Sequence, residues 1–183
     1  MSGYPGIRRT AREEGLVAAL ELLHEDGVRH GPAGHALVVG RPAHLELQGV
    51  GLSVVRDPSA PSAPREWTLG LLWLRLGVSE WLLDRTMAYL GARTTGGTPL
   101  LLQQMVKGQL AEAVTEQVEL STLLAGRAPD RLDDPHRQIT RADRALLRLL
   151  GGSGFRADGP GQAAHASELL ADFYQEDRHD RAR

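Results

Sequence analysis

Residues 67–91 read WTLGLLWLRLGVSEWLLDRTMAYLG, and this stretch decides the fold. Leu69, Leu72, Trp73, Leu76, Trp81, Leu82 and Leu83 keep helical spacing but spread too far around the cylinder for a helix with one side in water. Such a helix belongs in the middle of a bundle. Gly96, Gly97 and Pro99 break it. Beyond them Val106, Leu110, Ala113, Val114, Val118 and Leu123 repeat near 3.6 residues, which predicts a second long helix from about Leu101 to Leu124. A polar loop is expected over 127–135, with Pro129 and Pro135 inside it. Thr140 reads as the cap of a third helix ending at Leu150, with Asp143 standing in for the capping-box carboxylate. A glycine-rich connection, Gly151–Gly161, then leads to a last helix from Ala163 to about Asp177. Four helices with short connections predict a mainly α protein built on an antiparallel four-helix bundle.

Ahead of the bundle the pattern changes. Leu16, Val17, Leu20 and Leu23 predict a short N-terminal helix over 8–26, stopped by Gly27. Residues 36–39 and 43–55 are short apolar runs punctuated by Gly40, Pro42, Gly49 and Gly51, which predicts two or three strands of a small sheet or hairpin. Asp57–Pro64 holds three prolines and reads as a linker. The expected division is therefore 1–65, helix plus small β segment, and 66–183, the bundle.

Composition narrows the function. The chain has 183 residues, enough for one domain with an appendage, and no cysteine, which excludes disulfides, thiolate metal sites and a cysteine nucleophile. Its net charge is −2 with the signs interspersed, so no basic stripe points to nucleic acid. No apolar run is long enough to span a membrane, and Met1–Thr10 lacks the apolar core of a secretory signal; a cytoplasmic protein is expected. Lys107 is the only lysine, and the abundance of Ala, Gly, Leu and Arg resembles translation of a GC-rich genome, so an arginine alone is no sign of a ligand. The histidines, among them His24, His30, His35, His136, His165 and His179, show no ligand spacing, and no metal site is expected. Ser153 sits in Gly-Gly-Ser-Gly-Phe, not in a nucleophile elbow.

Two segments carry a more specific signal. In the first, Gly151-Gly152-Ser153-Gly154-Phe155 is followed nineteen residues on by Tyr174 and then Gln175. In the second, Asp84, Tyr89, Arg93, Gly97, Pro99, Leu100 and Gln104 fall in one gap-free register, continued by Lys107, Leu110, Ala111 and Glu112. Together they resemble the C-terminal helical domain of the acyl-CoA dehydrogenase family, over roughly residues 66–183. That family has a Gly-Gly-x-Gly-aromatic turn, a Tyr-Glu-Gly tip, and an Arg-x-x-Phe-Gly motif followed by a Gln. The chain departs from the pattern at Gly96, where the motif has Phe, and at Arg148, where a Gln usually precedes the glycine turn.

The resemblance implies a truncated, divergent member, in which strands 43–55 are a remnant of the family's middle β-domain. It implies FAD as a possible cofactor, shared at a subunit interface, with Arg93, Gln104, Arg148, Gly151 and Gly152 at the positions that meet the nucleotide. A guanidinium and free backbone N–H groups suit phosphate oxygens; the same residues also read simply as an inherited helix–helix connection. The tip glutamate is the usual catalytic base, and here Gln175 takes its place, an amide that cannot accept the proton. Glu176 beside it, and Glu66 near the place where some relatives carry the base, are the substitute carboxylates. Each reads otherwise as a solvated group at a helix end, Glu66 being favoured there by the helix dipole.

The expected protein is an oligomeric subunit of acyl or secondary, polyketide-type, metabolism without dehydrogenase activity of its own. It would be a dimer or tetramer, or paired with a longer homologue, with an acyl thioester or polyketide-type molecule as the ligand. The alternative is a flavin-independent cyclase, isomerase or dehydratase that uses the bundle cavity and polar groups such as Glu66, Tyr89 or Glu176. A noncatalytic scaffold is the third reading.

Overall fold

The computed structural model describes residues 3–40, 45–47, 49–126, 129–156 and 159–174. Four long helices form the expected bundle: α3 (Arg65–Gly91), α4 (Gln104–Ala125), α5 (Asp133–Leu150) and α6 (Gly161–Tyr174). Helix α3 is central, and sixteen of its 27 residues are buried, from Trp67 through Leu90. Its first half packs with the N-terminal helices and α6; its second half packs Leu82, Leu83 and Leu90 against Leu110 and Ala113 of α4 and Leu146 and Leu150 of α5. None of the helices, among the described residues, is long and apolar enough to cross a membrane.

The single helix expected over 8–26 is two, α1 (Tyr4–Glu13) and α2 (Leu16–Leu23). The break falls at Gly15, whose φ of 100° no helix can hold. Helix α1 lies along α3 and is tied to it by charge. Arg8 pairs with Glu80 and also donates to Ser121 Oγ at 2.8 Å, while Arg12 grips Asp84 at 2.8 and 3.1 Å. The two backbones come so close that Gly77 of α3 faces the Arg8 carbonyl and the Ala11 methyl with no room for a Cβ.

The small sheet has three strands, β1 (His35–Val39), β2 (Leu45–Leu47) and β3 (Leu52–Arg56), antiparallel in the order β1-β3-β2. Leu37 and Leu52 enter the same core as Leu71, Leu74, Leu170 and Tyr174, so the sheet seals the open side of the bundle near the end of α6.

Two boundaries differ from expectation. Helix α5 begins at Asp133, seven residues before Thr140, and takes up part of the expected loop. Pro135 is no obstacle there: in a first turn its missing N–H has no partner to lose. Asp133 and Asp134 set carboxylates at the positive end of the helix dipole. Thr140 is therefore inside the helix and caps nothing; its Oγ1 accepts from Arg75. Between α3 and α4 the chain forms a tight hairpin of β4 (Thr94–Thr95) and β5 (Thr98–Pro99), followed by a 3₁₀ turn at Leu100–Leu102.

Candidate functional site

The antiparallel arrangement gathers one end of α3, the hairpin, the start of α4 and the glycine turn after α5 at the same end of the bundle. Arg93 leaves α3 where the hairpin closes, with Leu100 N–H donating to its carbonyl at 2.7 Å. Its guanidinium lies over the ring of Tyr89, 4.4 Å from the centroid, a cation–π contact across one helical turn. The Tyr89 hydroxyl in turn lies 2.7 Å from Ser153 Oγ. Arg93, Tyr89 and Ser153 thus form a chain of contacts from α3 to the glycine turn. Gly151 ends α5 at φ 55°, and residues Gly151–Phe155 form a 3₁₀ turn rather than an open loop.

Gln104 is the first residue of α4 and is exposed. The first turn of α4 holds no acidic side chain and no side-chain cap, so its leading N–H groups have no side-chain acceptor. Arg93 makes no ion pair among the described residues. A guanidinium without an ion pair and an uncapped start of a 22-residue helix are each groups that suit an anion.

The remaining sequence candidates are placed elsewhere. Arg148 is exposed on the last turn of α5 and lines a cleft between α5 and α6 instead of joining Arg93. Glu66 is exposed in the first turn of α3, 23 residues before Tyr89 and so about 35 Å away along the helix at 1.5 Å per residue. It shares its end of the bundle with the close of α6, because Trp67 packs its ring 4.4 Å from that of Tyr174. Tyr174 is pinned there, donating from its hydroxyl to the Arg29 carbonyl at 2.6 Å. Glu66 and Tyr89 therefore cannot act on one small molecule within one chain. Gln175, Glu176 and His179 lie outside the described residues.

A second polar constellation lies inside the bundle, and sequence reasoning passed over it. Arg75 of α3 is fully buried and donates to Ser167 Oγ (3.1 Å), His136 O (3.1 Å) and Thr140 Oγ1 (2.9 Å), and it sits 2.8 Å from His136 Nδ1. Burial pushes its guanidinium down to about 10, still charged at neutral pH. Burial and the adjacent Arg75 charge hold His136 well below the usual imidazole range, so its ring is neutral and Nδ1 accepts from the guanidinium. Asp143, one helical turn on, is buried too, and burial pushes its carboxyl up to about 6; the nearby Ser79 hydroxyl and Arg75 offset only part of that rise. Ser79 Oγ accepts from Gln117 Nε2 at 3.0 Å, which leaves its hydroxyl proton to turn towards Asp143. No group of three or more acidic or histidine side chains, among the described residues, could hold a metal ion.

Residues 69–152 match the family model described as acyl-CoA dehydrogenase, C-terminal domain. The matched segment belongs to that family. It spans α3, the hairpin, α4 and α5 and ends inside the glycine turn, so Arg93, Gln104, Arg148, Gly151 and Gly152 all fall within the acyl-CoA dehydrogenase-like part. Among solved structures, the chain is similar to a probable acyl CoA dehydrogenase from Mycobacterium abscessus ATCC 19977 / DSM 44196, at 17% identity and a TM-score of 0.44. That likeness covers 75% of this chain and 46% of the other, so the present chain spans less than half of that relative's length. No curated protein matches the sequence.

Proposed function

We propose that this chain is an acyl-CoA dehydrogenase-like subunit of acyl or secondary, polyketide-type, metabolism, and that it contributes a nucleotide-phosphate contact at a subunit interface without dehydrogenase activity of its own. The observation that supports it best is the Arg93 end of the bundle. The Arg93 guanidinium lies over the Tyr89 ring without an ion pair among the described residues, Tyr89 meets Ser153 of the glycine turn, and the start of α4 has no side-chain cap. These residues fit the pyrophosphate of FAD or the phosphates of CoA: Arg93 would supply charge-assisted bonds, and the α4 N–H groups and Gln104 would supply neutral donors. FAD, where bound, supplies hydride chemistry; the base for α-proton removal would be missing at Gln175.

Assembly follows from where the apolar surface lies. Helix α3 places most of its apolar residues inside the chain, Met87 excepted, whereas α4 leaves Met105 (79% exposed), Val118 (59% exposed), Val114 and Leu123 uncovered. A second copy or a longer homologue would cover that face. The test is titration of purified protein with FAD and, separately, with CoA, followed by Arg93→Ala. Removing one charge-assisted contact should weaken binding at least tenfold, about 1.4 kcal/mol, with the thermal transition unchanged. Equal affinity in wild type and variant would rule out the phosphate contact. The flavin-independent alternative is favoured by one observation, the buried carboxylate of Asp143 beside a cleft.

A further inference from the structure

We infer that the cleft between α5 and α6 is a binding site for a small carboxylic acid, whose carboxylate seats between Arg148 and His165 and whose apolar body lies on Leu147 and Phe155. The cleft has a volume of about 500 Å³, within the range of small-molecule sites. Its end at the glycine turn is held in place, since Gly161 at the start of α6 stands so close to the Gly154 carbonyl that a Cβ would not fit. Leu147 is half-buried and Phe155 is 69% exposed, so the lining there keeps apolar surface open to a ligand.

The charges along the cleft determine what that ligand carries. Arg144 of α5 reaches across to Glu168 of α6 and neutralises it. Asp143 is buried beside Ser79 and Arg75 of α3 and is engaged inside the bundle. One helical turn nearer the glycine turn, α5 presents Arg148 in line with Arg144, and α6, running the other way, presents His165 in line with Glu168. The cross-cleft pair is thus repeated with its acid missing. Among the described residues neither Arg148 nor His165 makes an ion pair. A carboxylate can accept two parallel N–H bonds from a guanidinium and a further one from an imidazole N–H, and the Gln162 amide lines the same end. One negative charge matches the one cleft guanidinium that lacks a partner. A phosphate dianion would bring its second charge towards Glu168, and an ammonium would meet Arg148 as a like charge.

The site is independent of the nucleotide reading, because neither Arg93 nor Gln104 lines the cleft. The test uses the full chain at pH 7.5 with four probes of equal chain length, hexanoate, hexyl phosphate, 1-hexanol and n-hexylamine, followed by calorimetry and by NMR of the Leu methyl groups. Hexanoate should bind saturably, at least tenfold tighter than hexanol or hexylamine and no weaker than hexyl phosphate. Arg148→Gln should lower hexanoate affinity at least tenfold while hexanol affinity stays put. Arg141→Gln, at an equally exposed arginine of α5 that does not line the cleft, should leave hexanoate affinity unchanged. Leu147→Trp, which fills the cleft and keeps Arg148, should abolish binding, and saturating FAD or CoA should not displace hexanoate. Equal affinity for acid and alcohol, tighter binding of hexyl phosphate, the same loss in Arg141→Gln as in Arg148→Gln, displacement by FAD or CoA, or no saturable hexanoate binding at millimolar concentration would each overturn the inference.

Discussion

Replacing Gly77 with Ala should destabilise the protein, whereas the same replacement at Gly108 should stabilise it. Both glycines lie inside long helices, where alanine is intrinsically better by about 1 kcal/mol. Their surroundings differ. A Cβ on Gly108 meets nothing within 4 Å. A Cβ on Gly77 runs into the Arg8 carbonyl oxygen and stands 2.7 Å from the Ala11 methyl carbon, about 1 Å inside the ordinary carbon–carbon separation. The obstacle is backbone, so no side-chain rotation relieves it and α1 must withdraw. A gap of that size forfeits a quarter to a half of each dispersion contact made by Ile7 and Ala11, which are both buried. It also loosens the Arg8–Glu80 and Arg12–Asp84 pairs. Overpacking of this kind costs about 1–3 kcal/mol; less the helix-propensity gain, the net loss is up to about 2 kcal/mol. For a chain of this size that lowers Tm by up to about 8 °C, while Gly108→Ala raises it by about 2–4 °C. Urea and thermal unfolding followed by far-ultraviolet circular dichroism would measure both. Shifts of the same sign in the two variants, or a Gly77→Ala protein as stable as wild type, would refute the close approach of α1 to α3.

Asp143→Asn should stabilise the protein at neutral pH. The folded carboxyl keeps its proton to about pH 6, while the unfolded chain releases it near 4. Stability is therefore lost as pH rises from 4 to 6, and about 3 kcal/mol is missing above that window. Denaturant unfolding at pH 4.5, 6 and 7.5 should show the advantage of Asn growing with pH; a variant less stable than wild type at pH 7.5 would make the carboxylate a net favourable counterion of Arg75. His136 works in the opposite sense: held neutral when folded, it costs stability as pH falls below about 6.5, so the Asn variant should weaken steadily on acidification. Sedimentation at tens of micromolar should show a dimer or larger species, reduced towards monomer by Val118→Glu; a monomeric wild type would argue against a partner on α4. Purified protein with FAD, acyl-CoA substrates and an artificial electron acceptor should show no dehydrogenation, and robust turnover would mean that a carboxylate other than the one replaced by Gln175 serves as base.

The parts of the fold that were legible in the sequence are those set by local pattern. The all-round apolar run of α3 announced a buried helix because no surface helix tolerates it, and the punctuated runs around Gly40 and Gly51 announced strands. The glycine turn and the Arg93 register were legible for the same reason, since each depends on residues close in the chain. What escaped was the start of α5 and the buried charges. Pro135 was read as loop because proline breaks helix interiors, but a first turn has no bond for it to break. Asp143 was read as a cap because it follows Thr140 by three residues. The competing pattern was present in the same stretch: His136, Ile139, Asp143, Leu146 and Leu150 are three or four residues apart, one stripe of a helix, and all five are buried. Arg75 carried the complementary sign, an arginine in the middle of a run that had to be buried. Its partners His136, Thr140 and Ser167 stand 61, 65 and 92 residues away, beyond the reach of any local spacing rule. A buried guanidinium nevertheless obliges the facing helices to supply acceptors. The polar residues on the inner stripes of α5 and α6 were therefore the place to look, and Asp143, buried beside Ser79 and Arg75, is one of them.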